Sequence, residues 1–192
     1  MAIEVKRESL DTKARHVSPA YVDKDGVHYL ASSDRPFPTI DVNHLRLHEG
    51  RAYYVYKLYP YNAGLAAGAN LDIAIAWPAG YNPHARFSYG GSGESEFYVY
   101  ESPTTSGGTS LSAIKRDRVS TASSVAAAVF NPTVASVGTE IFSDFVPANK
   151  QGGGGQLSSF EFILKPLTTY LFRFTNVNSQ AHAAHLMIDW YE

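Results

Sequence analysis

The feature that most constrains the fold of this chain is a tyrosine-rich segment at residues 51–59, Arg-Ala-Tyr-Tyr-Val-Tyr-Lys-Leu-Tyr. Aromatic and β-branched residues favour strands, and Glu49-Gly50 before the segment predicts a turn because glycine adopts positive φ without steric cost. Tyr54, Tyr56 and Leu58 share one face of this strand. Since neither face is clearly polar, we expect a core on one side. The other side faces a second layer, a partner subunit or, as in many sandwiches, solvent.

Segments with strand character recur from Ile40 to the C-terminus, and turns rich in Gly, Pro and polar residues separate them. Alternating apolar residues within a segment predict one buried face. Pro132 argues against a helix over residues 125–137, so we predict a strand there with residues 140–146 as its partner. No segment predicts a convincing helix. The predicted strands are 40–47, 51–59, 71–77, 85–89, 94–101, 111–115, 125–137, 140–146, 160–165, 170–174 and 186–190.

This pattern, with thirteen Tyr and ten Phe, predicts an all-β fold. We expect a β-sandwich or jelly-roll-like domain over residues 45–192 and an extended N-terminal arm over residues 1–44. Strand-like flanks around Asp25-Gly26 predict a short hairpin within the arm. The four consecutive glycines at 152–155 predict a mobile tip.

Charge and composition exclude several classes of partner. The formal net charge is −2, so the chain lacks the basic footprint that binding nucleic-acid phosphates requires. It has no cysteine, hence no disulfide and no thiolate metal site. The N-terminus lacks the apolar stretch of a secretory signal, and no run approaches a membrane span. We expect a soluble protein made inside the cell, with neither nucleic acid nor membrane as partner.

Four patterns could suggest chemistry, and each has a plainer explanation. His182 and His185 are three residues apart on a predicted strand, so their rings point to opposite faces and do not converge on a metal. Asp23 begins a calcium-loop-like run that lacks its later acidic ligand. Ser112 and Lys115 match a Ser-x-x-Lys pattern without its accompanying motif. The His-x-His pair of a cupin metal site does not occur. We predict no enzyme activity, no catalytic residues, and neither a metal nor another cofactor.

Several motifs together resemble the head-decoration, or cement, proteins of tailed bacteriophages. The resemblance covers residues 40–192 and rests on pattern rather than on a catalytic signature, and the Gly/Ala-rich loop at 63–69 is a place of departure. The motifs are His48-Glu49-Gly50 before an aromatic strand, Tyr98–Thr105, Lys115–Arg118, Gly152–Gly154, Ile163–Pro166 with Thr169–Leu171, and the ending Ile188–Glu192.

The resemblance implies a β-sandwich protein on the outside of an icosahedral capsid, commonly a homotrimer, that stabilises the joints between capsomers. Its partners would be the major capsid protein and further copies of itself, and it would reach the virion exterior after synthesis in the host cytoplasm. An arm that gains order on contact allows a large contact from few residues. The candidate capsid or subunit interface residues are Tyr21, Tyr29, Phe37, His48, Glu49, Arg116 and Arg118.

Two alternatives stay open at this point. The Tyr and Trp content also fits a carbohydrate-binding or receptor-binding module of a phage fibre or tail, because sugars stack on exposed aromatic rings. The charge cluster Lys115–Arg118 is either an interface that engages carboxylates of a neighbour or an ordinary solvated loop.

Overall fold

The computed structural model describes residues 20–22, 28–30, 42–148, 156–157 and 161–192. By its contacts the chain divides into two units, Met1–Asp41 and Val42–Glu192. In the first unit, strands β1 (Ala20–Val22) and β2 (His28–Leu30) pair antiparallel, with Tyr21 opposite Tyr29. The predicted turn at Asp25-Gly26, Phe37 and the glycine run at 152–155 lie outside the described residues.

The second unit consists almost entirely of β-strands. It begins with helix α1 (Val42–His48), and a 3₁₀ turn spans Tyr61–Ala63. Its strands are β3 (Ala52–Tyr59), β4 (Asn70–Ala76), β5 (His84–Gly91), β6 (Ser95–Glu101), β7 (Thr104–Ser106), β8 (Thr109–Leu111), β9 (Ile114–Lys115), β10 (Ala127–Phe130), β11 (Thr133–Ser136), β12 (Thr139–Val146), β13 (Gln156–Leu157), β14 (Phe162–Ile163), β15 (Thr169–Asn176) and β16 (Ala184–Tyr191).

Two antiparallel sheets form the sandwich. One has the strand order β12-β6-β15-β4-β10-β8, and the other has the order β13-β5-β16-β3-β9, with β14 also beside β5. The long strands β3, β4, β5 and β6 enter the two sheets in turn, as β15 and β16 do later. This interleaving is the jelly-roll arrangement of a double-sheet sandwich. The predicted all-β, jelly-roll-like sandwich is therefore confirmed.

The core lies between the inner faces of the two sheets and is rich in aromatic rings. Trp77 and Trp190 meet edge to face with ring centroids 5.7 Å apart, and Tyr89 stacks on Phe97 at 3.9 Å. Such pairs add to the stabilisation from buried area. Most of the alternating residues expected on inner faces are buried, namely Leu71, Ile73, Ile75, Trp77, Phe97, Val99, Leu164, Tyr170, Phe172, Phe174, Leu186, Ile188 and Trp190. Phe162, expected on the same face as Leu164, is half-buried, and Phe160 lies outside the described residues.

The expected strand at residues 40–47 is wrong, because Val42–His48 forms helix α1. The predicted turn at Glu49-Gly50 is the end of that helix. Arg51 N donates to Arg46 O at 3.0 Å and Gly50 N donates to Leu47 O at 3.0 Å, with Gly50 at φ +69°. These are the two hydrogen bonds of a Schellman motif. The turn signal was correct, but the strand prediction did not take account of the helix propensity of Leu45, Arg46 and Leu47.

We expect Gly50→Ala to lower the free energy of unfolding more than Gly68→Ala does. Both glycines have φ +69°, which costs a residue with a Cβ about 1–2 kcal/mol. A Cβ at Gly50 would also collide with the side chain of Ser120, whereas a Cβ at Gly68 would meet open space. Urea unfolding of both variants measures the difference; equal losses would mean that the Ser120 contact relaxes freely.

The expected pairing of residues 140–146 with 125–137 is also wrong. Strand β12 pairs with β6, whereas β10 pairs with β4 and β8, and β11 pairs with β7. The predicted strand at 111–115 divides into β8 and β9, which belong to different sheets. Alternation in a sequence assigns residues to faces but does not select the neighbouring strand.

Candidate functional site

The outer face of the β5-β16-β3 sheet exposes the tyrosine-rich strand. Tyr54, Tyr56 and Leu58 of β3 lie beside His185 and Met187 of β16, and we call these five residues the tyrosine face. Tyr56 and Leu58 are 53% and 56% exposed, and the rings of Tyr54 and Tyr56 stack at 6.1 Å. The opposite side of β3, with Tyr53 and Val55, lies in the core. Large exposed apolar patches mark interaction sites in soluble proteins.

An aspartate shared by two arginines borders the tyrosine face. Arg86 donates to Asp189 Oδ1 from Nε at 3.3 Å and from Nη2 at 3.1 Å, and Arg116 Nη1 donates to Oδ2 at 2.7 Å. Asp189 and Arg86 are cross-strand partners on β16 and β5. Arg116 reaches them because β9 pairs with β3 and Arg116 N then donates to Ala52 O at 2.9 Å.

This group presents positive charge to solvent. The Asp189 side chain is 15% exposed, whereas those of Arg86 and Arg116 are 33% and 40% exposed. Each guanidinium has five N–H donors, so both retain donors after bonding Asp189. Arg51 precedes Ala52, whose carbonyl accepts from Arg116 N, and Arg118 follows Arg116 by two residues. Both side chains are exposed and form no ion pair with another described residue. We call Arg51, Arg86, Arg116, Arg118 and Asp189 the arginine corner.

The end of helix α1 lies against the loop that carries Arg116 and Arg118. Gly50 packs closely on Ser120 of that loop, and Lys115 Nζ donates to Ser120 O at 2.7 Å. Glu49 pairs with Arg46 within the helix end, with Arg46 Nη1 2.7 Å from Glu49 Oε2. The predicted interface residues His48 and Glu49, at the end of helix α1, and Arg116 therefore lie on adjoining segments.

A hydrogen-bonded cluster lies at the start of β5, two residues before Arg86. Tyr191 OH donates to Glu161 Oε1 at 2.7 Å, and His84 Nδ1 lies 2.5 Å from the same oxygen. Burial pushes the pKa of Glu161 upward, but the bonds from Tyr191 and His84 outweigh it and hold that pKa below the usual carboxyl range. Burial and the bond to Glu161 raise the pKa of Tyr191 to about 12. The cluster holds its carboxylate ionised and internally bonded.

The predicted interface residues belong to both units of the chain, and each unit is described by itself. Arg116 forms the shared ion pair with Asp189, while Arg118 is exposed in the following loop. Tyr21 and Tyr29 are cross-strand partners in the separate hairpin, and Phe37 lies outside the described residues. Sequence reasoning missed Arg86 and Asp189. The sequence signal for each was a charged residue at an outward-facing position of a strand whose other face is apolar.

His182 and His185 lie on opposite sides of the sheet, as their spacing predicted. His182 is buried, and its Nε2 lies 3.1 Å from Ser95 Oγ. Gly64, Gly91 and Gly93 pack so closely around His182 that none has room for a Cβ. A serine–histidine contact can serve nucleophilic catalysis only where a substrate can approach it. Ser95 has 0% exposure, so we assign this contact to the packing of one end of the sandwich.

We expect the stability of the protein to fall as the pH drops below about 6.5, and His185→Gln to flatten that fall. Burial lowers the pKa of His185 below its usual 6.5. Just below that pH the unfolded chain binds a proton that the folded chain does not, so the stability present at higher pH is lost on acidification. Urea unfolding at several pH values between 5 and 7.5 tests this. Parallel curves for the two proteins would contradict it.

Within the described part of the chain, no helix is long and apolar enough to cross a membrane. Comparison with family models, with curated proteins and with solved structures finds no match for this chain. The surfaces of the described residues that are suited to binding a partner are the tyrosine face and the arginine corner.

Proposed function

We propose that this chain is a structural virion protein of the head-decoration type, without enzyme activity, that binds the outside of a bacteriophage capsid. The observation that carries the proposal is the tyrosine face, an apolar outer sheet surface bordered by the arginine corner. A surface of this composition suits protein–protein contact: aromatic residues and Arg are enriched in interfaces, and Tyr and Arg are frequent binding hot spots.

The proposed mechanism is mechanical. The arm at residues 1–44 and one end of the sandwich bind the major capsid protein, and the added buried area across capsomer joints resists the pressure of packaged DNA. A segment that gains order on binding can cover a wide surface. Because a capsid presents many copies of each joint, modest single contacts add through multivalency. The described residues support this role through a rigid sandwich with internally bonded charges.

The test mixes purified protein with expanded, undecorated shells assembled from the major capsid protein of the same virus. We expect the protein to co-sediment with the shells and to raise the temperature at which they disassemble. Unexpanded shells serve as the control for nonspecific adsorption. A protein that stays in the supernatant, or leaves shell disassembly unchanged, contradicts the proposal.

A shorter chain that lacks residues 1–40 tests how much the arm contributes to shell binding, apart from the contribution of the sandwich. We expect it to fold normally, as judged by the fluorescence of the buried Trp77 and Trp190. Its binding to shells should be at least about tenfold weaker, which corresponds to about 1.4 kcal/mol. Undiminished binding would remove the arm from the mechanism.

A second candidate function is carbohydrate or receptor binding by a fibre or tail module. The stacked pair Tyr54 and Tyr56 favours it, since Tyr56 exposes half of its surface and polar groups of the arginine corner lie close by. Reproducible binding on a glycan array, lost in Tyr56→Ala and accompanied by no shell binding, would support this function over the first.

A further inference from the structure

The outer face of the other sheet differs in charge from the tyrosine face. On β6, Glu96, Tyr98 and Tyr100 point outward, opposite the buried Phe97 and Val99. On the adjacent β12, Glu140 lies opposite Tyr100 and Phe145 lies opposite Glu96. We call Glu96, Tyr98, Tyr100, Glu140 and Phe145 the acidic face.

The carboxylates of the acidic face have no cationic partner among the described residues. Glu96 accepts a hydrogen bond from Tyr98 OH at 2.6 Å, and Glu140 is exposed without an ion pair. The neighbouring cation, Arg173, lies opposite Tyr98 and donates two hydrogen bonds to Asp72, so its charge is offset by that of Asp72. The bond to Glu96, followed by burial, raises the pKa of Tyr98 to about 12. Burial and the charge of Glu140 raise that of Tyr100. Carboxylates of this face therefore contribute to both pKa shifts, through a hydrogen bond at Tyr98 and through charge at Tyr100.

The acidic face and the arginine corner complement each other in charge and in apolar content. Phe145 is 53% exposed on the acidic face, as Tyr56 is on the tyrosine face. The acidic side offers unpaired carboxylates at Glu96 and Glu140, and the other side offers surplus guanidinium donors at Arg116 and Arg118. A contact of either face with its own copy would oppose like charges, which is unfavourable.

We propose that two copies of this chain associate head to tail, with the acidic face of one copy on the tyrosine face and arginine corner of the next. Arg116 and Arg118 then meet Glu96 and Glu140, and Phe145 packs against Tyr56 and Leu58. A head-to-tail contact uses two different patches, and because these patches lie on opposite sides of the sandwich, repeating it stacks further copies in an open row. This inference rests on the proposed function only in choosing a second copy as the partner.

Charge reversal and its rescue test the contact in the full chain without shells. Arg118 and Glu140 are suitable positions because both are exposed and form no ion pair within the described residues, so their substitution spares the fold. We expect Arg118→Glu and Glu140→Arg each to raise the dissociation constant of the association about tenfold or more. The double variant R118E/E140R should return close to the wild-type value, because the reversed charges again attract. Sedimentation velocity measures each constant, and native mass spectrometry counts the copies.

The control is Glu94→Arg, an equal change of charge at the exposed turn between β5 and β6. We expect it to leave association nearly unchanged, and raised salt to weaken the wild-type association. A wild-type protein that stays monomeric overturns the inference, as do single reversals without effect or a double variant as weak as the singles. A monomer whose shell binding is lost in Arg118→Glu would assign the corner to the capsid protein instead. Association without shell binding would leave this contact standing and remove the proposed function.

Discussion

Replacing Asp72 with alanine lowers the free energy of unfolding by about 3–5 kcal/mol, because it leaves the Arg173 guanidinium without its counter-charge in a largely buried position. Arg173 Nε donates to Asp72 Oδ1 at 2.8 Å and Nη2 donates to Oδ2 at 2.7 Å. The two side chains are 7% and 17% exposed. They are cross-strand partners on β4 and β15, so the pair joins two central strands of one sheet. Urea unfolding followed by tryptophan fluorescence measures the loss.

Two matched variants distinguish the loss of the Asp72–Arg173 attraction from the cost of leaving the Arg173 charge buried without a partner. Asp72→Asn keeps the shape and one acceptor, so we expect a loss between that of the alanine variant and zero. The double variant D72L/R173M removes both charges and refills the space, and it should be more stable than Asp72→Ala. A loss below about 1 kcal/mol for Asp72→Ala would mean that Arg173 reaches water and that the pair behaves as a surface ion pair.

The second large effect is expected at Asn176, whose side chain joins two loops at one end of the sandwich. Its Nδ2 donates to the carbonyl oxygens of Leu65 at 2.8 Å, Ala66 at 3.0 Å and Gln180 at 2.9 Å. Its Oδ1 accepts from Asn178 N at 2.8 Å, and the residue has 0% exposure. Asn176→Ala removes these four bonds. The carbonyls of Leu65 and Ala66 keep the amides of His182 and Ala69 as donors, whereas Gln180 O and Asn178 N lose their partner. Each group left without a partner costs about 1–3 kcal/mol, so we expect a loss of about 2–4 kcal/mol.

Two further variants control for shape and for general loop damage. Asn176→Asp has the same shape but replaces the donor with a charged acceptor facing three carbonyls, so we expect it to be at least as destabilising as alanine. Asn178→Ala removes one exposed bond, from Gln180 N to Asn178 Oδ1 at 3.1 Å, and should cost less than about 1 kcal/mol. If Asn176→Asp were as stable as the wild type, the amide would not be the group that holds the loops together.

Local sequence signals predicted the faces of strands well and the partners of strands poorly. Leu71, Ile73 and Ile75 each have 0% exposure, as their alternation indicates. The same alternation gave no warning that Asp72, between them, is also buried. Asp72 is covered because β4 is central in its sheet and Arg173 lies opposite on β15. A charged residue at an outward-facing position of a strand predicts a solvent-exposed side chain. The prediction changes only when the residue that pairs with it elsewhere in the chain is known.

The candidate site divides in the same way. The run Lys115–Arg118 identified Arg116 as an interface candidate because of its charge, but Asp189 lies 73 residues further along the chain. Arg116 reaches Asp189 only because β9 is added to the edge of the sheet beside β3. Helix α1 was missed because seven positions show too little periodicity to identify a helix, whereas the two backbone hydrogen bonds of the cap at Gly50 mark its end in the structure.

By itself the sequence determined the all-β class, the inward face of each long strand and the turn at Gly50, because these depend on side-chain alternation and backbone freedom within a few residues. Only the tertiary structure decided which strands are neighbours, that Asp189 joins Arg86 to Arg116, and that one outer face is aromatic and basic while the other is acidic. Those outcomes depend on packing between residues far apart in the chain, and a local sequence pattern does not identify which distant residues come into contact.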